Sequence, residues 1–396
     1  MKKIALVSSG DLPIPAVKGG AVETLIDLLV KENEKEHKVN FLVISVNDDE
    51  AKKKTSLIKN SSFEYVKSDN FLEKKLSKVT FILNKLSKIL FKNEIPTYSA
   101  FYKKALKKVL KYNVDFVVFE GGPRPTGFHY FKKYFKQDQM CIHLHGNWFP
   151  SKYVSNMFGR VISVSKFIEN EYISTCNSKN AKFFTVYNTV NQDSLRTPIT
   201  SEERKQIRKS FAFSEKDFVI VYCGRICADK GVLELIKAVV NCPENVKLLI
   251  IGSPHYGKKE TSPYLNEVNT MVSNFNNKIF YTGYIPNNQL FKYYKSSDIH
   301  CIPSVWDEPG GLVNVEGMTV GLPLIVTKSG GNSEYVSEQC ALLVERGENL
   351  ISNLEKAIEK LCTNTSLRKE MSNESLKRSE IFSVSNFYTS YLRCFE

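Results

Sequence analysis

Short apolar segments alternate with helix-like segments along the whole chain, and the alternation occurs twice, once in each half. In the first half the apolar segments are residues 4–8, 39–46, 63–66, 114–120, 140–145, 161–164 and 183–187. In the second half they are residues 218–223, 246–251, 279–282, 299–303, 323–327 and 341–344. Strands that alternate with helices are typical of parallel βαβ units. The sequence therefore predicts an α/β chain with two doubly wound parallel sheets.

The chain length and one polar segment predict where the domains divide. The chain has 396 residues, which is more than one hydrophobic core usually serves. Residues 188–214 are polar and charged, and we interpret them as a linker followed by the first helix of the second domain. The predicted domains are therefore residues 1–200 and 201–383. Residues 384–396 are predicted to form a helix that crosses back to the first domain.

Composition favours a cytoplasmic protein. The sequence has no apolar run of about 18 residues, the length that a membrane span needs. The apolar stretch after Lys3 is too short for a signal peptide. Nine cysteines without a C-x-x-C pair indicate reduced thiols rather than a disulfide framework. Cys223 and Cys227 could begin a zinc site, but their spacing is unusual and no second pair or nearby His completes it.

Positive charge is concentrated in the first half of the chain. The net charge is +13; residues 1–200 hold 32 Lys and Arg against 19 Asp and Glu, whereas residues 201–396 hold 23 of each. Residues 50–112, the basic segment, carry 16 Lys and 5 acidic residues. A helical stripe of apolar residues runs through it, flanked by lysines: Leu72, Leu76, Val79, Leu83, Leu86 and Leu90, beside Lys74, Lys75, Lys78, Lys85 and Lys88. A second Lys-rich helix is predicted at residues 103–111.

Two interpretations of the basic segment remain open. Its first helix could pack on the core and expose a solvated basic face. Alternatively, the segment could lie on an anionic membrane surface, where each Lys contributes about 1 kcal/mol. Nucleic acid is not an expected partner, because the segment has no helix-turn-helix, RNP or zinc-finger pattern and no Arg-rich stretch.

Two glycine-rich loops lie where a predicted strand gives way to a helix. The first holds Gly19 and Gly20, whose backbone N–H groups could approach phosphate at a helix N-terminus, although a simple tight turn is the alternative. The second loop, residues 224–231, holds Arg225 and Lys230. These side chains could face one diphosphate, one as a planar fork and the other as a point charge. Open α/β sheets bind ligands at the carboxyl ends of their strands, where this loop is predicted to lie.

Two carboxylates flank a Gly-Gly pair in the second half. A helix is predicted to start near Gly311, so that Glu308 precedes it and Glu316 lies in its second turn. Carboxylates suit sugar and ribose hydroxyls, and the N–H groups of Gly311 and Leu312 suit phosphate. A glycoside hydrolase also uses two carboxylates, but cationic phosphate binders at the same edge of the sheet disfavour that reaction.

Together these motifs resemble the retaining GT-B glycosyltransferases of family 4, in particular the spore-coat, exopolysaccharide and capsule types. The matching elements are the first Gly-Gly pair, Arg225 with Lys230, Glu308 with Glu316, and, further along the chain, residues 321–326 and the pair Gly330-Gly331. The resemblance covers essentially the whole chain. It implies a GT-B fold, in which two Rossmann-like domains face each other across a crevice. The first domain would bind the acceptor and the second the nucleotide sugar.

The resemblance also implies a role for each site residue. Arg225 and Lys230 would hold the donor diphosphate, and Glu316 would bind the ribose hydroxyls. Glu308 would contact the transferred sugar, and His145 matches the crevice histidine of the family. The expected catalytic residues are Glu308, Arg225, Lys230 and His145. The expected donor-binding residues are Gly19, Gly20, Arg225, Lys230, Glu308, Gly310, Gly311, Leu312 and Glu316.

Two positions depart from the family pattern. The family usually has an aromatic residue after its Glu-Pro pair, whereas this chain has Gly310, so the shape of the sugar site and the donor sugar do not carry over. The family's Asn-Gly-Val-Asp turn is replaced by residues 188–191, Asn-Thr-Val-Asn. The structural role of that turn is therefore not predicted by the resemblance.

The implied reaction is transfer of a hexosyl unit from a nucleoside diphosphate sugar, expected to be a UDP-sugar, to a saccharide acceptor. Retention of the anomeric configuration is expected, in cell-surface polysaccharide biosynthesis. The acceptor is expected to be lipid-linked, and the protein to be peripheral on the inner membrane face through the basic segment. No D-x-D motif is present, so neither a divalent metal nor another cofactor is expected. The alternatives are a nucleotide-sugar epimerase on the same fold and a degenerate, non-catalytic scaffold subunit.

Overall fold

In the computed structural model the chain divides into two compact units. The first unit comprises Met1–Tyr187 together with Val384–Glu396, and the second comprises Asn188–Ser383. The structure describes residues 1–67, 69–91, 95–121, 127–147, 152–176, 181–254 and 262–396.

The first unit is built on a parallel seven-stranded sheet within the described residues. Its strands are β1 (Lys3–Val7), β2 (Asn40–Val46), β3 (Ser61–Val66), β4 (Phe116–Glu120), β5 (Met140–Leu144), β6 (Arg160–Ser163) and β7 (Lys182–Thr185). They lie in the order β3-β2-β1-β4-β5-β6-β7. The helices are α1 (Ala21–Glu36), α2 (Asp49–Thr55), α3 (Phe71–Phe91), α4 (Ala100–Val109), α5 (Phe128–Lys132), α6 (Lys152–Ser155) and α7 (Lys166–Cys176), with a 3-10 turn at Gln137–Gln139.

The second unit carries a parallel six-stranded sheet, again counted within the described ranges. Its strands are β8 (Phe218–Cys223), β9 (Val246–Ile251), β10 (Ile279–Gly283), β11 (Ile299–Ile302), β12 (Leu324–Thr327) and β13 (Ala341–Val344), in the order β10-β9-β8-β11-β12-β13. The helices are α8 (Gln192–Arg196), α9 (Ser201–Ser210), α10 (Val232–Asn241), α11 (Pro263–Asn274), α12 (Leu290–Ser296), α13 (Leu312–Thr319), α14 (Asn332–Tyr335), α15 (Leu350–Thr363) and α16 (Thr365–Ser379). Three 3-10 turns lie at Ala228–Lys230, Asn287–Gln289 and Glu380–Phe382.

Each predicted strand is confirmed, with ends that differ by a few residues. The central strands β1, β5, β8 and β11 are buried along almost their whole length. Strands covered on both faces are typical of parallel sheets, which explains why they form continuous apolar runs in the sequence. In both sheets the strand order reverses beside the first strand, between β1 and β4 and between β8 and β11. Ligands of doubly wound sheets bind at this switch point.

The division between the units lies closer to β7 than the expected boundary at residue 200. The turn after β7 and α8 pack within the second unit, where Thr189 Oγ1 donates to the carbonyl of Phe382 (2.6 Å) and Gln192 Nε2 donates to that of Ser379 (2.7 Å). The expected C-terminal helix is α17 (Val384–Arg393), and it belongs to the first unit. There Tyr388 Oη donates to Asn33 Oδ1 at 2.6 Å.

Helix α3 carries the apolar stripe predicted for the basic segment, but the stripe is not buried within the protein. Four residues of the stripe, Leu72, Leu76, Leu83 and Leu90, expose 72%, 45%, 49% and 68% of their surface. Packing on the core therefore does not account for these side chains. No helix in the described ranges combines the length and the apolar character that crossing a membrane requires.

Candidate active site

The loops that follow β8 and β11 meet at the switch point of the second sheet. The two strands are neighbours, with Ile220 opposite Ile299. Beyond them, the N–H of Val305 donates to the carbonyl of Asp229 at 3.0 Å. Lys230 ends the 3-10 turn after β8, and Glu308 lies in the loop after β11. Residues almost eighty positions apart in sequence are thereby brought to one edge of the sheet.

Gly231 is required where the two loops touch. Its φ is +68°, a left-handed conformation that glycine adopts without strain. A Cβ atom at this position would lie 2.0 Å from the carbonyl oxygen of Pro303. The Lys-Gly pair of the sequence motif thus has two roles. Lys230 supplies the cation, and Gly231 lets the loop approach the end of β11.

Lys230 and Glu308 form the centre of the site. Nζ of Lys230 lies 2.5 Å from Oε1 of Glu308, and Ser304 Oγ donates to the same oxygen at 2.6 Å. The Lys230 ammonium also lies over the ring of Trp306, 5.4 Å from its centroid. Glu308 is buried. A buried carboxylate needs partners of this kind, because an unpaired charge is costly away from water.

The loop that carries Glu308 is fastened by the Gly330-Gly331 turn after β12. The N–H of Gly331 donates to the carbonyl of Glu308 (2.7 Å), and the N–H of Gly330 donates to Oδ1 of Asp307 (3.1 Å). Arg346 donates to the same Asp307 oxygen at 2.6 Å. Backbone contacts therefore fix the position of Glu308, and they explain why the two motifs occur together.

Gly310, Gly311 and Leu312 lead into α13. Gly311 is the N-cap residue, and no side chain caps the helix there, so its first N–H groups are available to a ligand. A Cβ atom at Gly310 would lie 2.7 Å from the hydroxyl of Tyr335, which is itself buried. A larger residue at position 310 would therefore clash with Tyr335 in its present position.

Glu316 lies in the second turn of α13, as predicted. The hydroxyl of Tyr294, a fully buried residue of α12, donates to Glu316 Oε2 at 2.7 Å. Burial raises the pKa of Glu316, and the hydrogen bond from Tyr294 opposes this shift. One carboxylate oxygen is thus oriented by Tyr294, while the other can accept hydrogen bonds from a bound hydroxyl.

Arg225 is exposed on the loop after β8. Its side chain makes no ion pair with the residues that the structure describes. Its backbone carbonyl accepts a hydrogen bond from the hydroxyl of buried Tyr222 at 2.7 Å. The hydrogen bond from Tyr222 therefore holds the loop backbone in place, while the side chain of Arg225 is exposed to solvent.

The remaining predicted residues lie in the first unit. Gly19 and Gly20 precede α1, and a Cβ atom at Gly20 would lie 2.0 Å from Oε2 of Glu23. Glu23 is buried, and burial raises its pKa against the opposing effect of its own backbone N–H. A carboxylate thus already covers the helix N-terminus that was predicted to hold phosphate.

His145 follows β5 and belongs to a buried group of four side chains, the Glu120 cluster, which consists of Glu120, His143, His145 and Tyr391. Oε2 of Glu120 lies 2.9 Å from His143 Nδ1 and 3.0 Å from His145 Nε2, and Tyr391 Oη donates to Oε1 at 2.5 Å. Burial lowers the pKa of His145 to about 4, and the contact with Glu120 opposes this. Burial raises the pKa of Glu120, but the two histidines outweigh it and hold this pKa well below its usual range.

Metal ligation is chemically possible at one place in the described residues. The ligand atoms of Glu120, His143 and His145 lie within 4.8 Å of one another. The same contacts are also those of a hydrogen-bonded cluster. Cys223 and Cys227 belong to no such group of three donors within the described ranges. Burial raises the pKa of Cys223 to about 12, so its thiol stays protonated near neutral pH.

Sequence reasoning missed the supporting residues of the site. None of them stands in a motif: Tyr294 and Tyr335 contact site residues of the second unit, whereas Glu120 and Tyr391 lie around His145 in the first. One feature could have been predicted from the sequence, a helix cap in the turn after β7, because Asn caps helices as well as Asp does. Oδ1 of Asn191 accepts from the N–H of Ser194 at 3.2 Å and caps α8. The second departure from the family pattern therefore preserves a helix cap.

Residues 203–378 match the family model described as glycosyl transferases group 1. YtcC of Bacillus subtilis (strain 168), named as a candidate glycosyltransferase, is 24% identical over 392 residues, which cover 96% of this chain and 88% of YtcC. CapM of Staphylococcus aureus, a capsular polysaccharide biosynthesis glycosyltransferase, is 27% identical over 225 residues, 56% of this chain and 56% of CapM.

The fold comparison extends over the whole chain. HepE of Anabaena, solved in complex with UDP, superposes with a TM-score of 0.74 at 17% identity, over 100% of this chain and 99% of HepE. The chain therefore has the GT-B fold, residues 203–378 match glycosyl transferases group 1, and these findings together support a glycosyltransferase.

Proposed function

We propose that the chain transfers a hexosyl unit from a UDP-sugar to a saccharide acceptor in the synthesis of a cell-surface polysaccharide. The observation that carries this proposal is the contact between Lys230 and Glu308 at the switch point of the second sheet. A cation and a carboxylate on adjoining loops match the two parts of a nucleotide sugar, its diphosphate and its sugar hydroxyls. The UDP bound to HepE and the polysaccharide named for CapM support the nucleotide and the pathway.

Lys230 and Arg225 would stabilise the negative charge that develops on the departing diphosphate. Such preorganised charge is usually the largest single contribution to catalysis. Lys230 would exchange part of its contact with Glu308 for a phosphate oxygen when the donor binds. Arg225, already exposed, would add a two-pronged contact to the same group.

Glu308 and Glu316 would orient the two ends of the donor. Oε1 of Glu308 is occupied by Lys230 and Ser304, which leaves Oε2 for a hydroxyl of the transferred sugar. Glu316, held by Tyr294, would accept from the ribose hydroxyls. The N–H groups of Gly310, Gly311 and Leu312 at the start of α13 would donate to the sugar or the phosphate.

Retention would follow from reaction on one face of the sugar, with the leaving phosphate helping to deprotonate the acceptor. This route needs no separate general base. It also needs no divalent cation if Lys230 and Arg225 neutralise the diphosphate, so we propose metal-independent transfer. Gly19 and Gly20 could assist only if Glu23 moves away or is protonated, because its carboxylate lies at the same helix N-terminus.

We further propose that the acceptor is lipid-linked and that α3 rests on an anionic membrane. Its exposed apolar residues could enter the lipid surface while the lysines beside them meet anionic headgroups. A cavity of about 770 Å³ lies between α3 and the carboxyl ends of β1 and β2. Its walls combine Phe71, Phe81 and Phe101 with three lysines, Lys74, Lys75 and Lys78, and two carboxylates, Asp11 and Asp69. The lysines outnumber the carboxylates, so the lining suits a ligand with both an apolar chain and a phosphate.

The test is a thermal-shift panel of UDP-, GDP- and ADP-sugars with EDTA present, followed by product analysis with lipid-linked saccharides. A donor at a hundred times its Kd should add about 2.7 kcal/mol of stability. Stabilisation by UDP-sugars together with a new glycosidic product would support the proposal. Conversion of the donor without an acceptor would instead indicate an epimerase, and binding without turnover a scaffold subunit. A response that needs added divalent metal would contradict metal-independent transfer.

A further inference from the structure

The Glu120 cluster is a hydrogen-bonded arrangement around one buried carboxylate. Both oxygens of Glu120 are used, Oε1 by Tyr391 and Oε2 by the two histidines. Glu120, His143 and Tyr391 are each at most 1% exposed. The side chain of His145 keeps 10% exposure and is the member that reaches the surface.

The proton positions follow from this geometry. An ionised carboxylate can only accept hydrogen bonds, so the ring nitrogens that contact Oε2 must donate to it. For His145 this places the proton on Nε2 and leaves a lone pair on Nδ1. His143 donates through Nδ1, and its Nε2 is buried without a partner among the described residues.

Tyr391 reaches the cluster from α17. Its hydroxyl holds Oε1, which fixes the rotation of the carboxylate and directs Oε2 toward the histidines. Its ring also lies 5.6 Å from that of His143. A carboxylate that holds one histidine nitrogen fixes both the tautomer and the orientation of the ring, as in catalytic triads.

We propose that Glu120 and Tyr391 are positioning residues that hold His145 as the Nε2–H tautomer, with Nδ1 presented to accept a hydrogen bond from a substrate hydroxyl. The assignment of a saccharide hydroxyl as that partner rests on the proposed function. The tautomer and its dependence on Glu120 and Tyr391 do not.

The helix α17 offers a matched control. Tyr388 is also a fully buried tyrosine of α17, but its hydroxyl donates to Asn33 rather than to Glu120. Tyr391→Phe and Tyr388→Phe each remove one buried hydroxyl from the same helix. Only Tyr391→Phe removes a contact of the Glu120 cluster.

The experiment is long-range ¹H–¹⁵N NMR of the full chain labelled with ¹⁵N-histidine, with His145→Gln to assign the signal. We expect the Nε2–H pattern for His145 at pH 7 in the wild type and in Tyr388→Phe. Glu120→Gln, which removes the carboxylate that can only accept, should shift the signal toward the Nδ1–H form, and Tyr391→Phe, which leaves the carboxylate but frees its rotation, should do so to a smaller extent. In turnover with a UDP-sugar, these two variants should lose about tenfold or more in kcat while the donor KM stays within about twofold, because an orienting carboxylate acts through its histidine on the chemical step, as in a catalytic triad.

Several results would overturn the proposal. These are an Nδ1–H or charged His145 in the wild type, an unchanged signal in Glu120→Gln, or equal effects of Tyr388→Phe and Tyr391→Phe. Circular dichroism checks that each variant folds. If Tyr391→Phe does not fold, the NMR signal of Glu120→Gln decides whether Glu120 holds the tautomer of His145. If the wild type makes no saccharide product, the proposed function fails, while the NMR signal still decides whether the cluster holds His145.

Discussion

Nζ of Lys230 lies 2.5 Å from Oε1 of Glu308, so the cation proposed for the donor diphosphate is paired with the carboxylate proposed for the sugar. Both side chains are largely buried, at 18% and 9% exposure. Each therefore compensates the charge of the other until a donor arrives. The pair holds both groups near the positions in which they would be used.

Replacing Lys230 with Ala should reduce kcat by orders of magnitude, because the developing diphosphate charge loses its buried cation. Lys230→Arg should retain part of the activity. Lys237→Ala, at an exposed position on the following helix, is the control and should behave as wild type. Steady-state kinetics with a UDP-sugar measures all three. A fully active Lys230→Ala would rule out the diphosphate role.

Replacing Glu316 with Ala should chiefly weaken nucleotide binding, because the ribose hydroxyls lose a charged acceptor worth about 1.5–3 kcal/mol. The Kd for UDP, measured by calorimetry, should rise by roughly tenfold to a hundredfold. Tyr294→Phe keeps the carboxylate but removes the hydroxyl that orients it, and should give a smaller increase. Equal UDP affinity in wild type and Glu316→Ala would contradict the ribose role.

Reversing the charge of Lys74, Lys75 and Lys78 together should abolish the preference for anionic vesicles. Each lysine near an anionic surface contributes about 1 kcal/mol, so losing three weakens binding by roughly a hundredfold or more. The control reverses Lys205, Lys209 and Lys216, which are exposed lysines of the second unit. Flotation with anionic and neutral liposomes provides the measurement. If wild type shows no preference between the two vesicles, the membrane proposal is wrong.

Acid should destabilise the second unit through His300. This residue is fully buried beneath α13, and both ring nitrogens lack partners among the described residues. Burial lowers its pKa from 6.5 to about 3. Below pH 6.5 the unfolded chain therefore binds a proton at His300 that the folded chain does not bind. The free energy of unfolding is highest above pH 6.5 and decreases as the pH falls.

The loss attributable to His300 should approach about 1.4 kcal/mol per pH unit below pH 6.5. His145, whose pKa is lowered to about 4, adds a loss of the same sign in the first unit. Urea unfolding of wild type and His300→Leu between pH 7 and pH 5 should show a shallower pH dependence in the variant. His37→Asn replaces an exposed histidine at a left-handed position and should leave the pH dependence unchanged. Parallel curves for wild type and His300→Leu would exclude this contribution.

The sequence predicted every strand that the structure describes and both sheets, because parallel strands buried on two faces must be apolar throughout. It also predicted that Lys230 and Glu308 lie at the same edge of the second sheet, although the pairing of β8 with β11 came only from the structure. It did not predict that Tyr294 orients Glu316 or that Tyr335 limits position 310. Those contacts join residues on separate elements, and their distances depend on how the helices pack rather than on any local pattern.

The basic segment is a second case in which a local sequence pattern does not predict what a side chain contacts. An amphipathic stripe has the same spacing whether it faces a core, a membrane or a partner. Only the exposure of Leu72 and Leu90 in the folded chain distinguishes a stripe that packs on the core from one that faces a membrane or a partner. Likewise, Gly20 before a helix suggested phosphate, yet Glu23 lies over that helix end.

The position of α17 in the first unit affects the order in which the protein can be assembled. During synthesis, residues 1–187 leave the ribosome before any of Asn188–Ser383, and α17 follows only after the whole second unit. Until then Glu120 lacks the hydroxyl of Tyr391, and Asn33 lacks that of Tyr388. The first unit is therefore completed only after the second unit has been translated. A nascent chain that stalls before Val384 would hold Glu120 without the hydroxyl of Tyr391 that orients it.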